Sequence, residues 1–341
     1  MRLEETSASA PRARKITIIG VALVLATVSL GLAPTSAHAV GPKQVSYILA
    51  PHPDDEFQSW SLVENSPDNY KVFITATRGE ETSLCEPGNY NAALQASLGE
   101  TAQSPSPAGR WTTSCVAARQ ESQIRFLTQM SSADASIPGS FGTKATVGPF
   151  AANGASLCRS DNGVNSCSAA QRTADVWIDS QGRGAVVSFD LGDGDLNAAE
   201  VAWTVATVRD NRGALGINSS LPNFNVVGAF SNTTTACVAY PHVDHRAVHQ
   251  ALWNTDFGFR WQAAATCAGD PDQSRAGTVS ANAVQSAFAM SGSDQDSLSA
   301  NRLGAHVKQY GWLAGDYYHV DRNGQSLLFH SHQNFWIRFL R

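Results

Sequence analysis

The sequence predicts an α/β fold: a mainly parallel sheet with helices on both faces and disulfide-bearing loop insertions. Three observations predict it. Short apolar runs alternate with segments of helical periodicity over most of the chain. Two motifs rich in histidine and acid follow such runs, one directly and one after a short connection, at strand ends where open α/β sheets place their ligands. Four of the six cysteines lie in or beside two long stretches rich in Gly, Pro, Ser and Asn.

The first strand is Val45–Ala50, stopped by Pro51 and Pro53. Asp54, Asp55 and Glu56 then open a helix over 55–64, because acids in a first turn are favoured by the free amides and the macrodipole. Further strands are expected near 72–77, 174–179, 184–190 and 225–230, and helices near 115–130, 196–208 and 243–254. This alternation is Rossmann-like in layout. Two excursions interrupt it, 81–114 and 140–172, and long loops of this kind are usually functional or disordered. Trp111 and Tyr90 in the first either stack on a sugar ring or anchor the loop. Towards the end, Val279–Met290 reads as a helix, Ala300–Gln309 as another, and Ser326–Leu340 as a closing strand or two packed on the same domain.

The N-terminus reads as an export signal. Arg2, Arg12, Arg14 and Lys15 precede an uncharged apolar run, Ile16–Leu32, and Ala37-His38-Ala39 is a small-x-small cleavage site. Residues 1–39 are therefore expected to be a signal peptide, with a retained membrane anchor as the other reading of the apolar run. Residues 40–341 would form a single catalytic α/β domain. Losing the signal removes four basic and two acidic residues, taking the formal charge from −5 to −7. No basic patch remains, which argues against a nucleic-acid partner. Six cysteines in an exported chain suggest three disulfides. Sequential pairing, Cys85–Cys115, Cys158–Cys167 and Cys237–Cys267, closes one excursion per bridge.

The chemistry concentrates in His52-Pro53-Asp54-Asp55-Glu56 and His242-Val243-Asp244-His245. Together they offer two imidazoles and a carboxylate for a metal, with spare acids and a spare imidazole to move protons. On a strand-to-helix turn, His52 and Asp55, three apart, can converge on a metal while Asp54 stays free to reach a water. His245, near the start of the second helix, supplies the third ligand. His249, four residues on, shares its helix face and is the alternative. His242 would face the substrate carbonyl, and Asp244 would orient a neighbouring imidazole.

These residues resemble the zinc-dependent N-acetylglucosaminylphosphatidylinositol de-N-acetylase family, also called PIG-L or LmbE-like. Thr75-Ala76-Thr77-Arg78-Gly79-Glu80 is similar to the family's second strand and its turn. Arg119-Gln120-Glu121 is similar to its Arg-x-Glu helix, and Phe189–Gly194 to a later strand ending in an Asp-Gly turn. Tyr240 stands where some members carry an active-site tyrosine. The resemblance spans roughly 44–255. It implies zinc on His52, Asp55 and His245, Asp54 as general base, and His242 with Asp244 on the oxyanion or leaving amine. It makes Arg119, Asp193 and Tyr240 substrate contacts, although Arg119 also reads as a helix ion pair and Asp193 as a turn residue.

The expected function is a secreted, zinc-dependent hydrolase that removes an N-acetyl group from an N-acetylated amino sugar in a glycan or glycoconjugate. The residues alone carry metal-assisted hydrolysis; the resemblance carries the sugar. The alternatives are a zinc amidase for a longer N-acyl or peptide-like amide, and a non-catalytic secreted carbohydrate-binding protein.

Overall fold

The structure, a computed structural model, describes residues 41–87, 107–161, 164–229, 242–266, 276–280 and 332–339. Its centre is a sheet built on β1 (Gln44–Ala50), β2 (Asn69–Thr77), β7 (Gly184–Leu191), β8 (Asn223–Gly228) and β9 (Trp261–Thr266). These five pair in parallel in the order β9-β8-β1-β2-β7. Every residue of β2 and β7 is buried, as strands covered on both faces must be. Antiparallel strands extend the sheet at both edges. β6 (Gln171–Ile178) and β3 (Ala145–Ala151) lie beyond β7, and β11 (His332–Phe339) and β10 (Ala276–Ser280) lie beyond β9.

Helices cover both faces. α1 (Trp60–Glu64) and α2 (Thr113–Ala133) share one, where Trp60 packs on Phe73 and Phe126. α3 (Ala198–Asp210) and α4 (Val243–Asn254) cover the other. There Val201, Val205, Val248 and Leu252 join Val45, Tyr47, Val72 and Val187 in one core. Asn197 caps α3, and Glu200 returns the bond to the Asn197 amide, a reciprocal pair that fixes where the helix starts. The expected α/β class holds, with antiparallel borders on a parallel centre.

Four stretches differ from expectation, one of them β9, a parallel strand where none was expected. Residues 140–172, read as a loop, contain β3 and a separate hairpin of β4 (Leu157–Asp161) and β5 (Val164–Ala169). β3 is an edge strand, largely exposed and interrupted by Pro149, so it lacks the apolar run that marks a central strand. The helix expected from Val279 is also corrected: Val279 and Ser280 end strand β10. Residues 281–290 and 300–309 lie outside the described residues. The helix expected from Asp55 begins as a 3-10 turn over Glu56–Ser59 before α1.

Disulfides join Cys85 to Cys115 and Cys158 to Cys167, as sequential pairing predicts, and they point to an oxidising compartment. Cys237 and Cys267 fall outside the described residues, as do Tyr90, Tyr240 and residues 1–39. Among the described residues no helix is long and apolar enough to cross a membrane.

Candidate metal centre and active site

β1 and β8 are parallel neighbours, so their C-terminal ends lie side by side at one edge of the sheet. α1 follows β1 on one face, and α4 is the next described helix after β8 on the other. A crevice between diverging connections is the usual ligand position in such sheets. The two motifs, 192 residues apart between His52 and Asp244, meet there.

His52, Asp55 and His245 are buried, and one ligand atom from each lies within 4.8 Å of the others. His52 Nδ1 is 2.9 Å from Asp55 Oδ2, and His245 Nε2 is 3.3 Å from the same oxygen. A tetrahedral zinc at about 2.0–2.1 Å from its ligands separates them by roughly 3.3 Å. The donor set and its spacing therefore fit a zinc ion. Gln58 Nε2 donates to Asp55 Oδ1 at 2.6 Å and leaves Oδ2 facing the imidazoles.

The far side of His52 fixes its tautomer. Nε2 lies 2.9 Å from Asp244 Oδ2 and 3.1 Å from Asp193 Oδ1. A proton donated from Nε2 to these carboxylates would leave Nδ1 free to ligate an ion held between it and Asp55, the arrangement of a carboxylate–histidine–metal relay. Asp244 is itself held by the amides of Gly194 and Leu196, each at 2.9 Å. Asp193 accepts from the Glu81 amide. Burial works against a charge on His52, but Asp193, Asp244 and Asp55 outweigh it and raise its pKa well above the usual histidine value. Burial likewise opposes charge on Asp55, and His245 and His52 outweigh it, so Asp55 is held well below the usual range. The pocket favours positive charge.

Asp54 points elsewhere. Its φ of 134° is rare for a residue with a side chain and costs about 1–3 kcal/mol. That backbone turns two adjacent acids apart, Asp55 to the imidazoles and Asp54 to Arg119. Arg119 donates from two nitrogens to the two Asp54 oxygens, at 2.5 and 3.1 Å. Gly79, at φ +63°, lets the chain pass this guanidinium, with which any Cβ would collide.

His242 precedes α4 as its N-cap, and its Nδ1 accepts from the Asp244 amide at 3.3 Å. The ring proton therefore sits on Nε2. Burial, then the charge of His52, lowers the His242 pKa, so the neutral ring is favoured. Its centroid is 4.9 Å from that of His52. His249 donates Nε2 to the Ala229 carbonyl at 2.9 Å, which turns that nitrogen away from the cluster.

The structure thus brings His52, Asp54, Asp55, Asp193, His242, Asp244 and His245 together. Arg119 is buried in an ion pair with Asp54, and the Asp244 carboxylate meets the His52 imidazole. Sequence reasoning missed Gln58 and the amides of Glu81, Gly194 and Leu196. The three-residue step from Asp55 to Gln58 is a signal that could have been read; backbone amides leave none.

No family model matches this chain, and no curated protein matches it. Among solved structures it is similar to a deacetylase triple mutant (Orf2*T) described as involved in the teicoplanin biosynthetic pathway. The TM-score is 0.41 at 11% identity, covering 87% of this chain and 99% of that one.

Proposed function

We propose that this chain is an exported, zinc-dependent N-deacetylase acting on an N-acetylated amino sugar in a glycan or glycoconjugate. One observation carries the reading: two imidazoles and a carboxylate converge at zinc-like spacing, beside a second carboxylate that a buried arginine aims. A hydrolase of unactivated amides needs those two parts.

His52 Nδ1, Asp55 Oδ2 and His245 Nε2 would hold the zinc. When bound, such an ion supplies Lewis acidity toward an amide carbonyl and eases ionisation of a water to a pKa of about 7. Asp54 accepts the proton of the attacking water, its oxygens steadied by Arg119. The Nε2–H of His242 donates to the oxyanion of the tetrahedral intermediate. As the C–N bond breaks, the proton held by Asp54 passes to the amine nitrogen. Acetate and a free amine leave. Asp244 and Asp193 hold the His52 tautomer throughout. The sugar rests on the family resemblance, and export rests on the signal-like pattern of residues 1–39.

The test is acetate release from a panel of N-acetylated glycans and glycoconjugates, with zinc supplied and after chelation. Release that chelation abolishes and zinc restores supports the reading. Sugar binding without turnover at full zinc occupancy would replace it with a binding protein.

A further inference from the structure

We infer that Glu56, supported by Gln123, is a positioning residue for the base: it holds the Asp54 backbone in the conformation that turns its carboxylate away from Asp55. The word base rests on the hydrolase reading, but the hold on the backbone does not. Asp54 has a φ of 134°, and a residue with a side chain stays in such a region only where its surroundings keep it there. This angle is a rotation about the bond from the amide nitrogen to Cα. Tying both the amide and the side chain therefore fixes it. Arg119 ties the side chain through two nitrogens. Glu56 ties the amide: the Asp54 N–H donates to Glu56 Oε2 at 3.1 Å. Gln123 Nε2 donates to the same oxygen at 3.4 Å.

Both ties lead to α2. Arg119 and Gln123 are four residues apart on that helix and so share one face. One face of α2 thus holds the Asp54 carboxylate directly and the Asp54 amide through Glu56. Glu56 and Gln123 are each 1% exposed. At that burial a backbone amide that loses its acceptor must turn to find another. The turn would carry the Asp54 carboxylate with it.

Glu200 shows the simpler use of a carboxylate that reaches back to an amide. It bonds the Asn197 amide three residues earlier and starts α3 within one segment. Glu56 reaches back two residues, over the metal-site Asp55, and is joined to a helix 67 residues further on. Starting a turn needs no partner on α2; placing Asp54 against Arg119 does.

The test compares Glu56→Met and Glu56→Gln in zinc-loaded protein, each also combined with Asp54→Asn. Methionine keeps the length of the side chain and removes the acceptor; glutamine keeps one oxygen able to take both bonds. In crystal structures Asp54 should leave the positive-φ region in Glu56→Met and stay in it in Glu56→Gln. In acetate release Glu56→Met should lose about 100-fold in kcat, the scale of a misplaced group, with KM and zinc content near those of the parent. Glu56→Gln should recover about tenfold or more of that loss. In the Asp54→Asn protein Glu56→Met should cost less than about threefold, because Glu56 acts through Asp54. Should Glu56→Met not fold, Gln123→Ala carries the test, with a loss of about three- to tenfold in kcat that again vanishes on Asp54→Asn; no loss there overturns the proposal. An Asp54 φ that stays positive in Glu56→Met, or the full kcat loss repeated on Asp54→Asn, also overturns it. A parent that releases no acetate from any substrate, while Asp54 φ responds to the two variants as stated, keeps the hold and discards the hydrolase reading.

Discussion

Arg119 grips Asp54 through two nitrogens, at 2.5 and 3.1 Å, from a position only 4% exposed. The pair spans 65 residues and joins the β1 turn to the middle of α2's first half. It separates the work of two consecutive acids: Asp55 faces the imidazoles, and Asp54 is held apart by a planar fork. In the proposed mechanism Arg119 positions the base.

Arg119→Lys tests that positioning. Lysine keeps the charge but offers a single point donor in place of the fork. The variant should retain zinc and lose about 10- to 100-fold in kcat, with KM little changed. A large rise in KM at constant kcat would return Arg119 to the substrate-contact role read from the sequence.

The third ligand is tested by metal analysis. The protein should bind about one zinc per chain, and His245→Ala should lose metal and activity together. His249→Ala should keep both, because His249 Nε2 is committed to the Ala229 carbonyl. The reverse pattern would exchange the two roles.

How far the sequence carried these conclusions varied by element. Both motifs were legible because metal chemistry needs particular side chains, and the strand ends put them in reach. Four of the five parallel strands were legible because full burial writes continuous apolar runs, as in Val45–Ala50; β9, built of Gln262, three alanines and a threonine after Trp261, carries no such run and was missed. β3 and the β4–β5 hairpin were not, since half-exposed edge strands tolerate polar residues and Pro149. The pairing of Arg119 with Asp54 needed the three-dimensional approach of α2 to the β1 turn, which no local pattern encodes.

Reduction should act on stability before chemistry. Cys85–Cys115 closes a separation of 30 residues and Cys158–Cys167 one of 9. In the chain-entropy model these contribute about 3–4 and 2–3 kcal/mol respectively. Reduced protein should melt at a lower temperature while retaining zinc below that temperature. Zinc loss before unfolding would show that the bridges hold the site itself.

Acid stability should depend on Asp179. This carboxylate accepts from the amides of Gly139 and Ser140 and from Arg183, at 2.7–3.1 Å. Burial raises its pKa, but Arg183 and the amides outweigh burial and bring it to about 2. The unfolded value is about 3.9. A depressed carboxylate stabilises above its unfolded pKa, and that contribution fades as pH falls from about 4 to about 2. Asp179→Asn should be less stable at neutral pH by about 2–3 kcal/mol and lose less on acidification over that window. Parallel acid denaturation curves for the variant and the parent would contradict this.

Asp54→Asn is the most direct test of the whole account. The amide keeps the size of the side chain and can still accept from Arg119, but it cannot take a proton from water. Turnover, measured as acetate release at equal zinc occupancy, should fall by about 100- to 10,000-fold. Zinc content should stay near that of the parent, because Asp54 is not a ligand, while the melting temperature should fall, because the amide leaves the buried Arg119 charge uncompensated and sets its NH2 against one guanidinium N–H. A variant that keeps more than about a tenth of the parent's turnover, outside the range expected for a lost base, would contradict the account.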